Sequence, residues 1–327
     1  MNRVRTVALL LSVGLVAGAA PHAQMLPVSA LQGQAGLGLA LRQLNTTGVM
    51  LQATAHPDDE SNAVMAALGW GQGIRTIVLT ATRGDGGQNE IGPELFDALA
   101  VLRTEELLAA SQLDSHEQYF ARAVDFGYSF STDETFQKWG RREILGDFVR
   151  MLRTLRPDVV LGMRPDGVGG GQHHQASGIL IREAMHAAGD AAEFPEQIKE
   201  GLRAWQPRKL YYSGRIGTPG TPPAPGSVPG VTVNTSAFDT LLGTTWAELA
   251  SRARSYHKTQ GMGQLLSLPG SSTASYTLAE ASIPGQKDKA ESSLFDGIDT
   301  TLQGLAALVA GAPPDALTDG LSAIAAH

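Results

Sequence analysis

Val49-Met50-Leu51-Gln52-Ala53-Thr54-Ala55-His56-Pro57-Asp58-Asp59-Glu60 is the stretch on which the fold turns. Its first six residues make a short, mostly apolar run of buried-strand length, which stops at a proline and three acids. Ser61–Trp70 follows with Ala and Leu at helical spacing. The alternation recurs: Thr76–Thr82 leads into a helical pattern over Pro93–Gln112, and Asp158–Met163 into one from about His174 to His186. Glu134–Leu155 carries Phe136, Ile144, Phe148, Met151 and Leu155 at three- and four-residue steps, and Arg156-Pro157-Asp158 breaks it. Lys209–Ser213 is a fourth strand. Strands alternating with helices predict an α/β protein with a mostly parallel sheet flanked by helices.

Outward from this frame, the chain of 327 residues suffices for one large domain or two ordinary ones. It has no cysteine, so any metal must be held by nitrogen and oxygen. Its net charge of −7 argues against a nucleic-acid partner. Arg3 and Arg5 precede an uncharged run from Thr6 to Ala20, then small residues and Pro21-His22-Ala23. That order describes a secretory signal peptide over 1–23 and an exported, periplasmic or extracellular protein. The run is shorter than a bilayer span, and no later segment is apolar enough, so no membrane span is expected after cleavage. Gly217–Gly230 is a Pro/Gly-rich loop, followed by a short strand (Val231–Val233) and a helix from a Thr235 or Ser236 cap to about His257. Beyond Gly261 come a Ser- and Gly-rich stretch and a helical pattern near Leu294–Ala310. The expected division is therefore a catalytic domain over 24–260 and a helical C-terminal extension over 261–327. The sequence sets no oligomeric state.

Three clusters fall where strands end, which is where open α/β sheets bind ligands. Ala55–Glu60 packs a histidine and three acids into one turn; His and Asp ligate zinc, and a spare carboxylate beside them can take a proton from water. The same turn also reads as a helix start in which Asp58 or Asp59 is merely a cap, and composition leaves both readings open. Gly169–Gln175 brings His173 and His174 to the start of a helix. Adjacent histidines on a helix face different ways, so one is a candidate ligand and the other a pocket or surface residue. Thr82–Asn89 offers close backbone approach through its glycines and a polar clamp in Arg83 and Asp85.

These clusters together, with Arg103 and Glu106, Arg156-Pro157-Asp158 and His174 four residues before Gly178, resemble the PIG-L/LmbE-type zinc-dependent N-deacetylases over roughly Val49 to Gln260. The resemblance implies a Rossmann-like fold and removal of the acetyl group from an N-acetylglucosamine unit of a small sugar or glycoconjugate. It implies His56, Asp59 and His174 as ligands of zinc, or of another divalent metal, and Asp58 as the general base. Arg83, Asp85, Asp125 and His257 would bind substrate. The chain departs from the family at the third motif, His-x-Asp-His, where it has Gly171-Gln172-His173-His174. The histidine that stabilises the transition state is replaced by Gly171, and its role passes to His173 first and His257 second. Two alternatives stand beside this reading: a metal-dependent hydrolase of a different amide, and a carbohydrate-binding relative without turnover.

Overall fold

The computed structural model describes residues 32–167, 170–214, 230–263, 270–309 and 312–325. The expected signal peptide and nearly all of the Pro/Gly-rich loop lie outside the described residues. Five parallel strands form the centre: β1 (Val49–Thr54), β2 (Arg75–Thr80), β3 (Glu117–Phe120), β4 (Val159–Gly162) and β5 (Lys209–Ser213). The chain continues through β6 (Val231–Asn234), a small hairpin of β7 (Phe238–Asp239) and β8 (Thr244–Thr245), and β9 (Thr273–Ala281). The sheet runs β3-β2-β1-β4-β5-β9-β6, with β9 antiparallel to both of its neighbours. The expected mostly parallel α/β sheet is thus what forms.

Its central strands are apolar at successive positions because both faces are covered. On one face Leu51, Ile77, Leu79 and Val160 pack against α5 (Arg141–Leu155) through Ile144, Phe148 and Leu152, and against α6 (Gln172–Gly189) through Leu180 and Ile181. On the other, Met50, Val78 and Leu161 meet Val64, Met65 and Leu68 of α2 (Asn62–Gln72), the helix after β1. Before β1 runs α1 (Gly33–Leu44); α3 (Asp97–Asp114) links β2 to β3. Among the described residues no helix is long and apolar enough to cross a membrane.

Several elements differ from expectation. The single helix expected over Glu134–Leu155 is two, α4 (Thr132–Trp139) and α5, because Gly140 adopts φ +72° and both ends one helix and starts the next. After the five-residue α7 (Pro195–Lys199), the helix expected from Thr235 begins only at Trp246: α8 (Trp246–Arg254) is capped by Thr245, whose hydroxyl accepts from the Glu248 N–H at 3.2 Å. The pattern near Leu294–Ala310 yields a short 3-10 helix, Leu302–Leu308, and a further helix, α9, spans Asp315–Ala325. The division expected at residue 260 does not separate two bodies, since β9 lies inside the main sheet between β5 and β6.

Candidate active site

β1 and β4 are neighbours in a 3-2-1-4-5 order, and the helices that follow them pack on opposite faces, so a crevice opens at their carboxyl ends. His56 and Asp59 stand just past β1; His174 stands in the first turn of α6, beyond β4. Gly178 lets α6 approach that strand end, because a Cβ there would lie 2.3 Å from the Met163 carbonyl oxygen. His56 Nδ1 is 3.2 Å from His174 Nε2 and 3.6 Å from Asp59 Oδ2, and His174 Nε2 is 3.2 Å from Asp59 Oδ1. Ligands ~2.0–2.2 Å from a tetrahedral cation stand about this far apart, so the donor set fits a divalent metal. Asp59 is fixed by backbone N–H groups of Ala55 (3.2 Å) and His56 (2.8 Å), both donating to Oδ2. Burial opposes its ionisation, but hydrogen bonds from His174 and His56 hold it well below the usual carboxylate range. The capping alternative falls away: Ser61 is the N-cap of α2, and no side chain caps it.

Asp58 sits beside this triad in a backbone conformation that a side chain rarely adopts, φ +102°. Three elements hold it there. Buried Arg103 of α3 donates to the Pro57 carbonyl at 2.7 Å and to Asp58 Oδ1 at 3.4 Å. Glu60 Oε2 accepts from the Asp58 N–H at 3.0 Å, and Arg254 of α8 donates to the Asp58 carbonyl at 3.0 Å. Burial, reinforced by the neighbouring Asp59 charge, pushes the Asp58 carboxyl up to about 6. Behind it runs a buried polar chain: His257 Nε2 to Glu60 Oε1 at 2.5 Å, Asn62 Nδ2 donating to Glu60 Oε1 (3.0 Å) and Asp114 Oδ2 (2.8 Å), and Asp114 to His116 at 2.7 Å. Burial disfavours the Glu60 charge, yet the His257 charge and hydrogen bond bring Glu60 down to about 2. Thr259 extends the brace, donating its N–H and hydroxyl to Glu106 at 2.9 and 2.6 Å and accepting from the Glu90 N–H at 2.8 Å.

The remaining expected residues divide. His257 is wholly buried with its Nε2 on Glu60, a setting that fits a structural role better than the substrate contact expected for it. His173 does lie against the centre, its Nδ1 3.1 Å from His56 Nε2 and 3.4 Å from Asp125 Oδ1, but its ring is packed on Phe126 (4.5 Å) and Trp139 (5.0 Å). Burial and the His56 charge push His173 down to about 4, which disfavours the expected imidazolium, and the ring faces the second nitrogen of His56. Gly171 faces open space, and a Cβ there would meet no atom within 4 Å. Asp125 is buried with Oδ2 3.8 Å from His56 Nε2, and its N–H donates to Asp85 Oδ1 at 3.3 Å, so Asp85 holds the Asp125 loop. The two loops touch at Gly86, where a Cβ would stand 2.2 Å from the Gly127 nitrogen. Arg83 is exposed, its guanidinium 4.1 Å over the Phe120 ring and donating to Thr104 at 2.9 Å. Arg254, Asn62, Asp114 and His116 carried no sequence signal: Arg254 reaches the Asp58 carbonyl and Asn62 reaches Asp114 from far along the chain, and His116 joins them only through Asp114.

Fold and site together define an α/β protein with a His–Asp–His donor set, fit for a metal ion, at the switch point of a Rossmann-like sheet. Residues 51–185 match the family model described as PIG-L, GlcNAc-PI de-N-acetylase. Two relatives named 1D-myo-inositol 2-acetamido-2-deoxy-alpha-D-glucopyranoside deacetylase are similar along most of their length. The one from Streptomyces avermitilis is 27 % identical over 288 residues, 76 % of this chain and 97 % of its own. The one from Streptomyces griseus is 29 % identical over 301 residues, 81 % of this chain and 92 % of its own. Among solved structures, N,N'-diacetylchitobiose deacetylase from Pyrococcus horikoshii is similar with a TM-score of 0.48 and 20 % identity, over 68 % of this chain and 73 % of its own.

Proposed function

We propose that the protein is an exported, zinc-dependent N-deacetylase that hydrolyses the acetamide of an N-acetylglucosamine-type sugar or glycoconjugate to acetate and a free amine. The observation that carries this reading is Asp58, braced in a strained backbone conformation directly beside Asp59 of the His56–Asp59–His174 donor set. The family segment and the deacetylase relatives support it, and the N-terminal 1–23 pattern supports export. Zinc held by His56 Nδ1, Asp59 and His174 Nε2 would polarise the acetyl carbonyl and acidify a water molecule; other divalent metals suit the same donors. Asp58, with its carboxyl raised to about 6, is ionised at neutral pH yet basic enough to take the water proton. The same carboxyl then returns the proton to the departing nitrogen. His173 Nδ1 and Asp125 face the outer nitrogen of His56 and hold the ring in the orientation that leaves Nδ1 for the metal.

The test is acetate release from N-acetylglucosamine and its conjugates, by zinc-loaded and by chelated protein. Release with zinc that stops on chelation is expected; no release from any N-acetylated sugar by the loaded protein would overturn the reading. N-terminal sequencing of protein recovered outside the cytoplasm checks export, with a new terminus near Ala23 expected and an intact Met1 opposing it. A second reading, hydrolysis of a different amide, is favoured by one relative named mycothiol S-conjugate amidase, 25 % identical over 186 residues.

A further inference from the structure

We propose that Tyr128 and Phe130 form a stacking platform for a second ring of the substrate, making the preferred substrate a glycoconjugate of two or more rings. This rests on the deacetylase reading above. Tyr128 and Phe130 are 79 % and 81 % exposed, more than any other large apolar side chain of the described residues. Their ring centroids are 5.1 Å apart at 80°, an edge-to-face pair. A large apolar side chain left this open forgoes the stabilisation that burial would return.

Their exposure does not come from a slack loop. Ser129 between them is buried, its hydroxyl donating to the Ser131 carbonyl at 2.9 Å and lying 2.9 Å from Thr135 Oγ1. The Phe130 N–H donates to Glu134 Oε2 at 2.9 Å, and the Gly127 N–H to Asp125 Oδ1 at 2.9 Å. Inward-facing residues therefore fix the loop while the two rings are held outward, an arrangement that loses little freedom when a ligand settles on it.

The platform follows the candidate active site along one loop. The same loop carries Asp125, against His56 and His173, and Phe126, whose ring packs on His173. On this proposal, a substrate whose acetamide lies at the metal donors extends its next unit along this loop. The surroundings favour a sugar ring over an alkyl chain. Asp133 and Glu134 follow the pair, and Lys138 sits 3.9 Å over the Phe126 ring while pairing with Glu134 at 2.8 Å. A pyranose can lay its C–H face on an aromatic ring and turn its hydroxyls to such a rim. An alkyl chain needs a continuous apolar groove, which two rings among charged groups do not make.

The experiment is a Tyr128→Ala/Phe130→Ala double variant of the zinc-loaded protein, assayed on N-acetylglucosamine, N,N'-diacetylchitobiose and the octyl glycoside of N-acetylglucosamine. Both positions are on the surface, so the fold is expected to persist, as circular dichroism and zinc content will show. KM for the two-ring sugar should rise about tenfold, the size of one good ring contact, with kcat unchanged and KM for the single ring within about twofold. Tyr128→Trp should restore or lower the two-ring KM. Equal changes on one and two rings, no change on either, or a loss confined to the octyl glycoside would overturn the platform. Calorimetric titration of diacetylchitobiose into both zinc-loaded proteins separates the two readings. If the wild type releases no acetate the deacetylase reading fails, whereas binding that the double variant retains in full refutes the platform by itself.

Discussion

Replacing His257 by alanine removes one half of a pair whose two side chains are each only 1 % exposed. The Glu60 carboxylate then keeps the Asp58 N–H and the Asn62 amide, both at 3.0 Å, but loses its only counter-charge within hydrogen-bond reach among the described residues. Breaking a buried pair from one side costs ~3–5 kcal/mol; the two surviving hydrogen bonds place this case at the lower end. The loss has a pH signature. Glu60 is held down to about 2 against an ordinary 4.5, so its contribution is present above 4.5 and lost as pH falls through about 2. His257 is raised above its ordinary 6.5, so its contribution is present below 6.5 and lost as pH rises through the raised value. Both are complete between pH 4.5 and 6.5. Urea unfolding of wild type and His257→Ala at pH 5.5 and at pH 9 should show the wider gap at the lower pH. Glu60→Gln and the double variant close a cycle in which the double loss falls short of the sum by more than ~1 kcal/mol. A gap under about 1 kcal/mol, or strict additivity, would refute the clasp.

Asp58→Asn should keep bound zinc, because none of the three donors is touched, while kcat falls at least ~100-fold, the usual worth of a positioned base; wild-type turnover would remove Asp58 from that role. His174→Ala should lose stoichiometric zinc on elemental analysis, since only His56 and Asp59 remain, with helix content by circular dichroism unchanged. The acid limb of kcat/KM should have its midpoint at or below about 6: burial and the Asp59 charge set that value, and a bound cation moves it only downward. A limb clearly above 6 would point to another group.

The strands that place the site were legible because a run covered on both faces is apolar at every position, as Val159–Leu161 is. β3, at the edge of the sheet, reads Glu117-Gln118-Tyr119-Phe120 and gave no such run, and β9 carries Ser, Thr and Glu on its half-buried face. The break at Gly140 was hidden because the apolar spacing on either side continues nearly in phase. At the site, His56, Asp58 and Asp59 announced themselves by density, and His174 by its place past a strand. The part played by His257 was not legible, since a buried histidine serving a carboxylate and an exposed one serving a sugar look alike in one dimension. Arg254 offered still less, being one of two arginines in its helix, with Arg252, and distinguished only by the carbonyl it meets.

On the proposed reading, holding the metal and positioning the base fall to different parts of the chain. All three donors lie within residues 51–185, the segment that matches the family model, and two strand ends suffice to bring them together. Asp58, by contrast, carries a positive φ that costs ~1–3 kcal/mol in a residue with a side chain, and such strain persists only where the surroundings over-determine it. Arg103 supplies one restraint from within the segment; the others depend on Arg254 directly and on His257 through Glu60, both beyond residue 185. Thr259 and Gln260 add hydrogen bonds to Glu106 and to the Gln88 carbonyl, fixing the neighbouring loop from the same side. Residues 246–260 are therefore a working part of the active site, although none of them contributes a metal donor.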